Sequence, residues 1–212
     1  MLLICILTLF GLPGVVSFAL GPPLSACTDM FPGGHGFDAQ NANGSLPPFF
    51  ITVNSTTYRP GDIIEVFLNS TAPWFFEGVF IQARRAKCNS PMRDSPVGTF
   101  KTMPKEDFVI PMDCAGITAS ALAHYSHQHI SNRTIYWIAP SQSVGHIYLR
   151  GTFARNKRIF WTNVFSSYIR DSSVPDQTPE ICPVQSRMTG GSRSTRMITF
   201  PLLFLTVLFS LI

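Results

Sequence analysis

The chain predicts an all-β fold, a sandwich of two antiparallel sheets, from three observations. Short runs enriched in β-branched and aromatic residues recur from Phe49 onward. Turn residues separate these runs at intervals of about ten positions. No amphipathic helix of any length interrupts them.

The elements follow in order. Residues 20–48 are rich in Gly, Pro, Asn and Ser, as in Gly21-Pro22-Pro23, Pro32-Gly33-Gly34 and Pro47-Pro48, so this opening segment is expected to loop. Phe49–Val53 and Ile63–Leu68 then bracket the turn Arg59-Pro60-Gly61-Asp62, and Phe75–Ala83 follows Pro73. Ile135–Ile138 forms a short strand before Pro140, closed by the loop Ser141–Gly145. His146–Phe153 alternates most clearly, with Ile147, Leu149 and Phe153 on one face and Tyr148, Arg150 and Thr152 on the other, the pattern of a half-buried strand. Arg155-Asn156-Lys157 turns the chain into Ile159–Phe165 to complete a hairpin. Trp74-Phe75-Phe76, with Phe67, Phe80 and Phe100, reads as core packing, with a small exposed subset expected near Trp74.

The two ends carry different signals. Leu2–Val16 is almost wholly apolar and Ser17-Phe18-Ala19 places small residues before a cut, so residues 1–19 read as a removable signal peptide. Residues 197–212 carry no charge after Met197 and amount to 16 positions, below the roughly 20 that a helix needs to span a bilayer. Small residues Gly190-Gly191-Ser192 and a polar spacer from Arg193 to Arg196 precede them, the layout of a glycosylphosphatidylinositol attachment signal with Gly190 as attachment residue. A tail-anchored or single-span protein, with Arg193 and Arg196 as stop-transfer charges, is the alternative. The division is therefore 1–19 signal peptide, 20–173 β-domain, 174–190 stalk containing Cys182, and 191–212 anchor signal. The localisation expected is the extracellular face of the plasma membrane, with some protein secreted.

Roughly 170 residues remain between the signals, enough for one compact domain. The formal charge of +4 falls to +2 when Arg193 and Arg196 leave, and no large basic cluster speaks for nucleic acid as a partner. Cys5 goes with the leader, so Cys27, Cys88, Cys114 and Cys182 predict two disulfides in an oxidising compartment, in any of three pairings. None of the four lies within twenty residues of another, which argues against zinc. Asn43, Asn54, Asn69 and Asn132 each open an Asn-x-Ser/Thr sequon and mark exposed glycosylation sites.

Five pieces in sequence now carry a family likeness: Cys27–Gly36, Tyr58–Asp62, Phe76–Arg84, Pro96–Phe100, and Trp137–Pro140 through Gly145 to Trp161. Their order and spacing resemble a reeler (reelin) domain, most of all the extracellular start of the ferric-chelate reductase 1 family. The resemblance implies an immunoglobulin-like sandwich, a bond from Cys27 to Cys114, and Cys88 left to Cys182. It also implies a cell-surface recognition, adhesion or innate-defence role, with an extracellular protein, a glycan or a microbial surface as ligand. The reductases continue into a haem-bearing membrane part whose histidines the hydrophobic tail here lacks, so no transmembrane electron transfer and no cofactor are expected. An accessory relative of those reductases with a metal-binding role is the alternative.

Few residues offer chemistry of their own. His124, His127 and His129 are weak metal candidates, because strand periodicity sets His127 and His129 on one face and His124 on the other, and a site would need His35 or His146 as well. The trio is expected to be solvated. No G-x-S-x-G, H-E-x-x-H or P-loop pattern occurs, so no enzyme activity and no catalytic residue are assigned.

Overall fold

The computed structural model describes residues 21–175 and 178–180. The signal peptide, Cys182, Gly190 and the anchor segment lie outside the described residues. A four-residue helix, α1 (Ala26–Asp29), and two 3-10 turns, Gly33–His35 and Gln40–Asn43, precede ten strands. These are β1 (Phe49–Val53), β2 (Thr57–Tyr58), β3 (Ile63–Ser70), β4 (Gly78–Arg85), β5 (Thr99–Lys101), β6 (Val109–Cys114), β7 (Ile117–His124), β8 (Asn132–Ile138), β9 (Ile147–Ala154) and β10 (Phe160–Asp171).

The strands form two sheets, ordered β1-β3-β8-β5 and β2-β10-β9-β4-β7-β6. All pairings are antiparallel except the short β2–β10 contact. The sandwich expected from the sequence is the one observed. Phe75–Ala83 is shifted, because Phe75 and Glu77 lie outside β4, which runs from Gly78 to Arg85, and Phe76 makes only an isolated bridge to Ile130. Strands β5, β6 and β7 were not expected. Pro111 sits within β6, where an edge position needs no ladder N–H on its outer side.

Between the sheets, Ile51, Val66, Leu68 and Trp137 meet Ile81, Leu122, Leu149 and Phe153 in one apolar cluster. Trp137 is wholly buried, its Nε1 donates to the Val97 carbonyl at 2.9 Å, and its ring meets Tyr58 edge-on at 5.2 Å. Gly98 makes that fit possible: at its φ of +67° a Cβ would stand 2.4 Å from the indole nitrogen.

The expectation of a half-buried strand at His146–Phe153 is corrected by the structure. Seven of the eight residues of β9 are buried, on both faces, and β4 behaves likewise. The cause is the opening segment, which crosses the outer face of the six-stranded sheet. Ala26, Cys27 and Met30 pack there on Phe80, Cys114, Ala121 and Ala123, while Phe31 and Ala39 pack on Phe160. The four-stranded sheet keeps the one-sided pattern, with Ile64, Val66 and Leu68 inward and Ile63 59% exposed on the other face.

A candidate binding pocket beneath the opening segment

Four consecutive backbone carbonyls hold the opening segment to the sheet. The carbonyls at the end of so short a helix have no intrahelical partner, and side chains rising from β4 and β9 supply them. Arg84 Nη2 donates to the carbonyls of Cys27 at 2.8 Å and Thr28 at 3.2 Å; Arg150 Nη2 donates to Asp29 at 2.7 Å; Thr152 Oγ1 donates to Met30 at 2.6 Å. Gln82 Nε2 also reaches the Cys27 carbonyl at 3.1 Å, and its Oε1 accepts from Arg84. A disulfide from Cys27 to Cys114 on β6 crosses the same contact, with the Cα atoms 5.5 Å apart. Cys88 is disulfide-bonded as well.

Both guanidiniums are about 99% covered, which the sequence analysis did not anticipate. Burial pushes Arg84 down to about 10, with the Arg150 charge adding to the effect, and burial likewise brings Arg150 to about 10. Their satisfaction differs. Arg150 also donates through Nε to Asn163 Oδ1 at 2.9 Å, whereas Nε and Nη1 of Arg84 have no hydrogen-bond partner. Arg150→Met is therefore expected to cost about 1–3 kcal/mol, since it strips the Asp29 carbonyl of this donor. Arg84→Met is expected to cost less than Arg150→Met, because Gln82 still serves Cys27, Thr28 lies exposed to water, and removing a poorly satisfied buried charge offsets the donor lost to Gln82 Oε1. Urea denaturation of the two variants checks the order; equal losses would contradict it.

Between the opening segment and the sheet lies a half-open cavity of about 360 Å³. Apolar groups make most of its wall, including Pro23, Met30, Phe31, Phe80 and Ala154. Gly78 lets the cavity reach the end of β7, since a Cβ there would stand 3.2 Å from the His124 ring. At the mouth stand His35, His127, Glu77 and, from the β9–β10 hairpin, Asn156 and Lys157.

The histidine stretch is arranged differently from the alternation expected. β7 ends at His124, so a two-residue period does not extend across 125–129. His124 and His127 both line the cavity, and His129 is elsewhere: its Nε2 lies 2.9 Å from Glu77 Oε1 and its ring stacks on Phe75 at 4.0 Å. The expectation that His124 is solvated is also corrected, since its ring is tucked against β4 with Nδ1 3.2 Å from the Val79 N–H. His35 lines the same cavity and packs edge-on to Phe160 at 5.2 Å, with its Nδ1 buried and unpartnered. His146 is remote, accepting from the Asp171 N–H at 3.0 Å inside the fold. Among the described residues no three His, Cys, Asp or Glu side chains converge as metal ligands.

Burial lowers His124 and His35 from the ordinary 6.5, and the Lys157 charge lowers His35 further. The sign follows: the unfolded chain binds protons first. The stability due to neutral imidazoles is complete above about pH 6.5 and declines as pH falls from there toward the depressed folded values. The Tm is expected to drop on acidification through that range, and less steeply in His124→Gln. A parallel profile in the variant would count against it.

Of the sequons, Asn43, Asn54 and Asn132 are exposed and Asn69 is half-buried. Asn69 and Asn132 stand directly opposite each other on β3 and β8. Trp74 and Phe75 are half-buried, Arg155 lies 5.0 Å from each ring, and Trp74 meets Trp161 edge-on at 5.5 Å. Phe67 is also half-buried, on the outer face, while Phe76, Phe80 and Phe100 are core.

Comparison with known proteins gives this architecture its family. The reeler domain matches residues 25–177, most of the chain. The chain belongs to the reeler domain family. A Danio rerio protein named "Putative ferric-chelate reductase 1" is 35% identical over 169 residues, which are 79% of this chain and 27% of that protein. A Bombyx mori "Putative defense protein" is 30% identical over 154 residues, 71% of this chain and 83% of its own length. This reeler chain thus spans about a quarter of the reductase relative and most of the defence protein. The crystal structure of the human F-spondin reeler domain aligns at a TM-score of 0.49 and 21% identity, covering 60% of this chain and 91% of that one. Among the described residues no helix is long and apolar enough to cross a membrane.

The burial of Arg84 and Arg150 had a signal in the sequence. Each interrupts an apolar run, Phe80-Ile81-Gln82-Ala83-Arg84 and Ile147-Tyr148-Leu149-Arg150, and a charge inside a strand of that kind needs a buried partner. Lys157 and Glu77 carried none, because their role depends on which loops meet.

Proposed function

We propose that this reeler chain is a non-catalytic extracellular recognition module whose ligand site is the cavity beneath the opening segment. One observation carries the reading: a half-open, largely apolar cavity whose outer wall is fixed to the sheet by a disulfide and two buried arginines. A preformed concave site with a few polar groups at its mouth is the usual form of a small-ligand site. The cross-linked wall holds that shape before a ligand arrives, which lowers the ordering cost of binding. A relative named as a defence protein supports a defence role, and the ligand source in this reading is a protein, glycan or lipid of a microbial or cell surface. Display on the outer membrane face, through a lipid attached at Gly190, belongs to the same reading, as do glycans at Asn43, Asn54, Asn69 and Asn132.

The test is an overlay screen of purified protein against glycans, lipopolysaccharide and cell-surface proteins, in parallel with Ala154→Leu, which places bulk in the cavity. Binding by the wild type that the variant loses supports the site; binding unchanged in the variant moves recognition elsewhere. A metal-linked accessory role is the second reading, drawn from the names of the reductase relatives; His35, His124 and His127 line one cavity without converging on a single point. Stoichiometric copper or zinc in the purified protein, lost in His124→Gln, would put that reading first.

A further inference from the structure

We infer that the cavity takes an amphiphilic monoanion, an apolar tail ending in a carboxylate, with the tail on the sheet and the head at the β9–β10 hairpin. This rests on the cavity being the ligand site and adds the chemistry of what fills it. The volume of about 360 Å³ is at the small end of ligand cavities, about 300–1,000 Å³, so one acyl chain or a compact ring system fits and a folded peptide segment does not. The deep wall, Pro23, Met30, Phe31, Phe80 and Ala154, offers the tail contact without hydrogen-bonding demands.

The mouth is where charge selects. Among the described lining residues Glu77 is the single carboxylate, and it is already engaged by His129 at 2.9 Å. Against it stands the charge of Lys157, with the rings of His35 and His127 beside it. The neighbouring cations of the hairpin are turned away to aromatic faces, Arg155 to Trp74 and Phe75 at 5.0 Å and Arg158 to Phe37 at 5.6 Å. Lys157 is thereby the hairpin cation that borders the cavity, and it lies exposed, free to pair with a head group in water. A neutral tail would use none of these groups, and a cationic head would meet Lys157.

The experiment titrates dodecanoate and dodecanol, equal tails with and without the charge, into the folded protein by calorimetry. Dodecanoate is expected to bind saturably and dodecanol markedly less. Lys157→Glu, a surface change that leaves the fold intact, is expected to weaken dodecanoate about tenfold, in line with one water-exposed charge pair, and to leave dodecanol unchanged. Ala154→Leu, shown folded by its thermal transition, is expected to lose both. Equal binding of the two probes, or indifference to Lys157→Glu, overturns the anion while the cavity survives as a site. Binding of neither probe overturns the amphiphile altogether and leaves the screen above to judge the cavity.

Discussion

Serine in place of Cys27 is expected to destabilise the domain by about 2–5 kcal/mol, the usual consequence of losing a native bridge from a small domain. The bridge spans 87 positions, and so it removes much freedom from the unfolded chain. Its loss also acts locally, because Cys27 lies in the segment that walls the cavity. The carbonyl contacts of Arg84, Arg150 and Thr152 remain in Cys27→Ser, so the segment stays docked but opens more often. Hydrogen exchange at Met30 and Phe31 is therefore expected to rise more than exchange in β9, and affinity for any cavity ligand to fall with it. The freed Cys114, 1% exposed, is expected to react with thiol reagents only upon opening. A Tm within a degree or two of wild type, or a uniform change in exchange, would show that the bridge does not secure this wall.

Trp137→Ala is expected to cost about 3–5 kcal/mol, the range for a large aromatic removed from a core. The substitution empties the space between the sheets, leaves the Val97 carbonyl without its 2.9 Å donor, and removes the ring against Tyr58. Relaxation into the space is limited, since Gly98 is held at positive φ against the missing indole. Equilibrium denaturation measures the loss, and a cost under about 1 kcal/mol would mean that the core closes over the gap. Trp137→Phe, which keeps most of the area but no donor, is expected to fall between.

The sandwich was legible because β1, β3 and β8 carry alternation or aromatic runs with Pro and Gly between them, and periodicity is local information. Strand β7 was not legible: Ile117-Thr-Ala-Ser-Ala-Leu-Ala-His124 has small residues on the face covered by Cys27 and Met30, so its pattern follows the depth of neighbours rather than exposure to water. The same covering hid the second buried face of β9. The cavity was illegible for a related reason, since residues at 23–35, 77–80, 124–127 and 154–157 meet only through the topology. His124 was misplaced because an alternation argument was carried past the end of its strand.

The arginine contacts have a consequence for diversification. Arg84, Arg150 and Thr152 grip main-chain oxygens of residues 27–30, atoms that every amino acid supplies. The grip is blind to which side chains the gripped residues carry. Thr28 and Asp29 offer their carbonyls to the arginines, and Pro32 and Gly34 line the cavity without taking part in that grip, so these wall positions can change character while the anchor stays the same. If the cavity is the ligand site proposed above, a scaffold of this kind separates the part that must be constant from the part that would choose a ligand, and the wall could be varied without relearning how to fold.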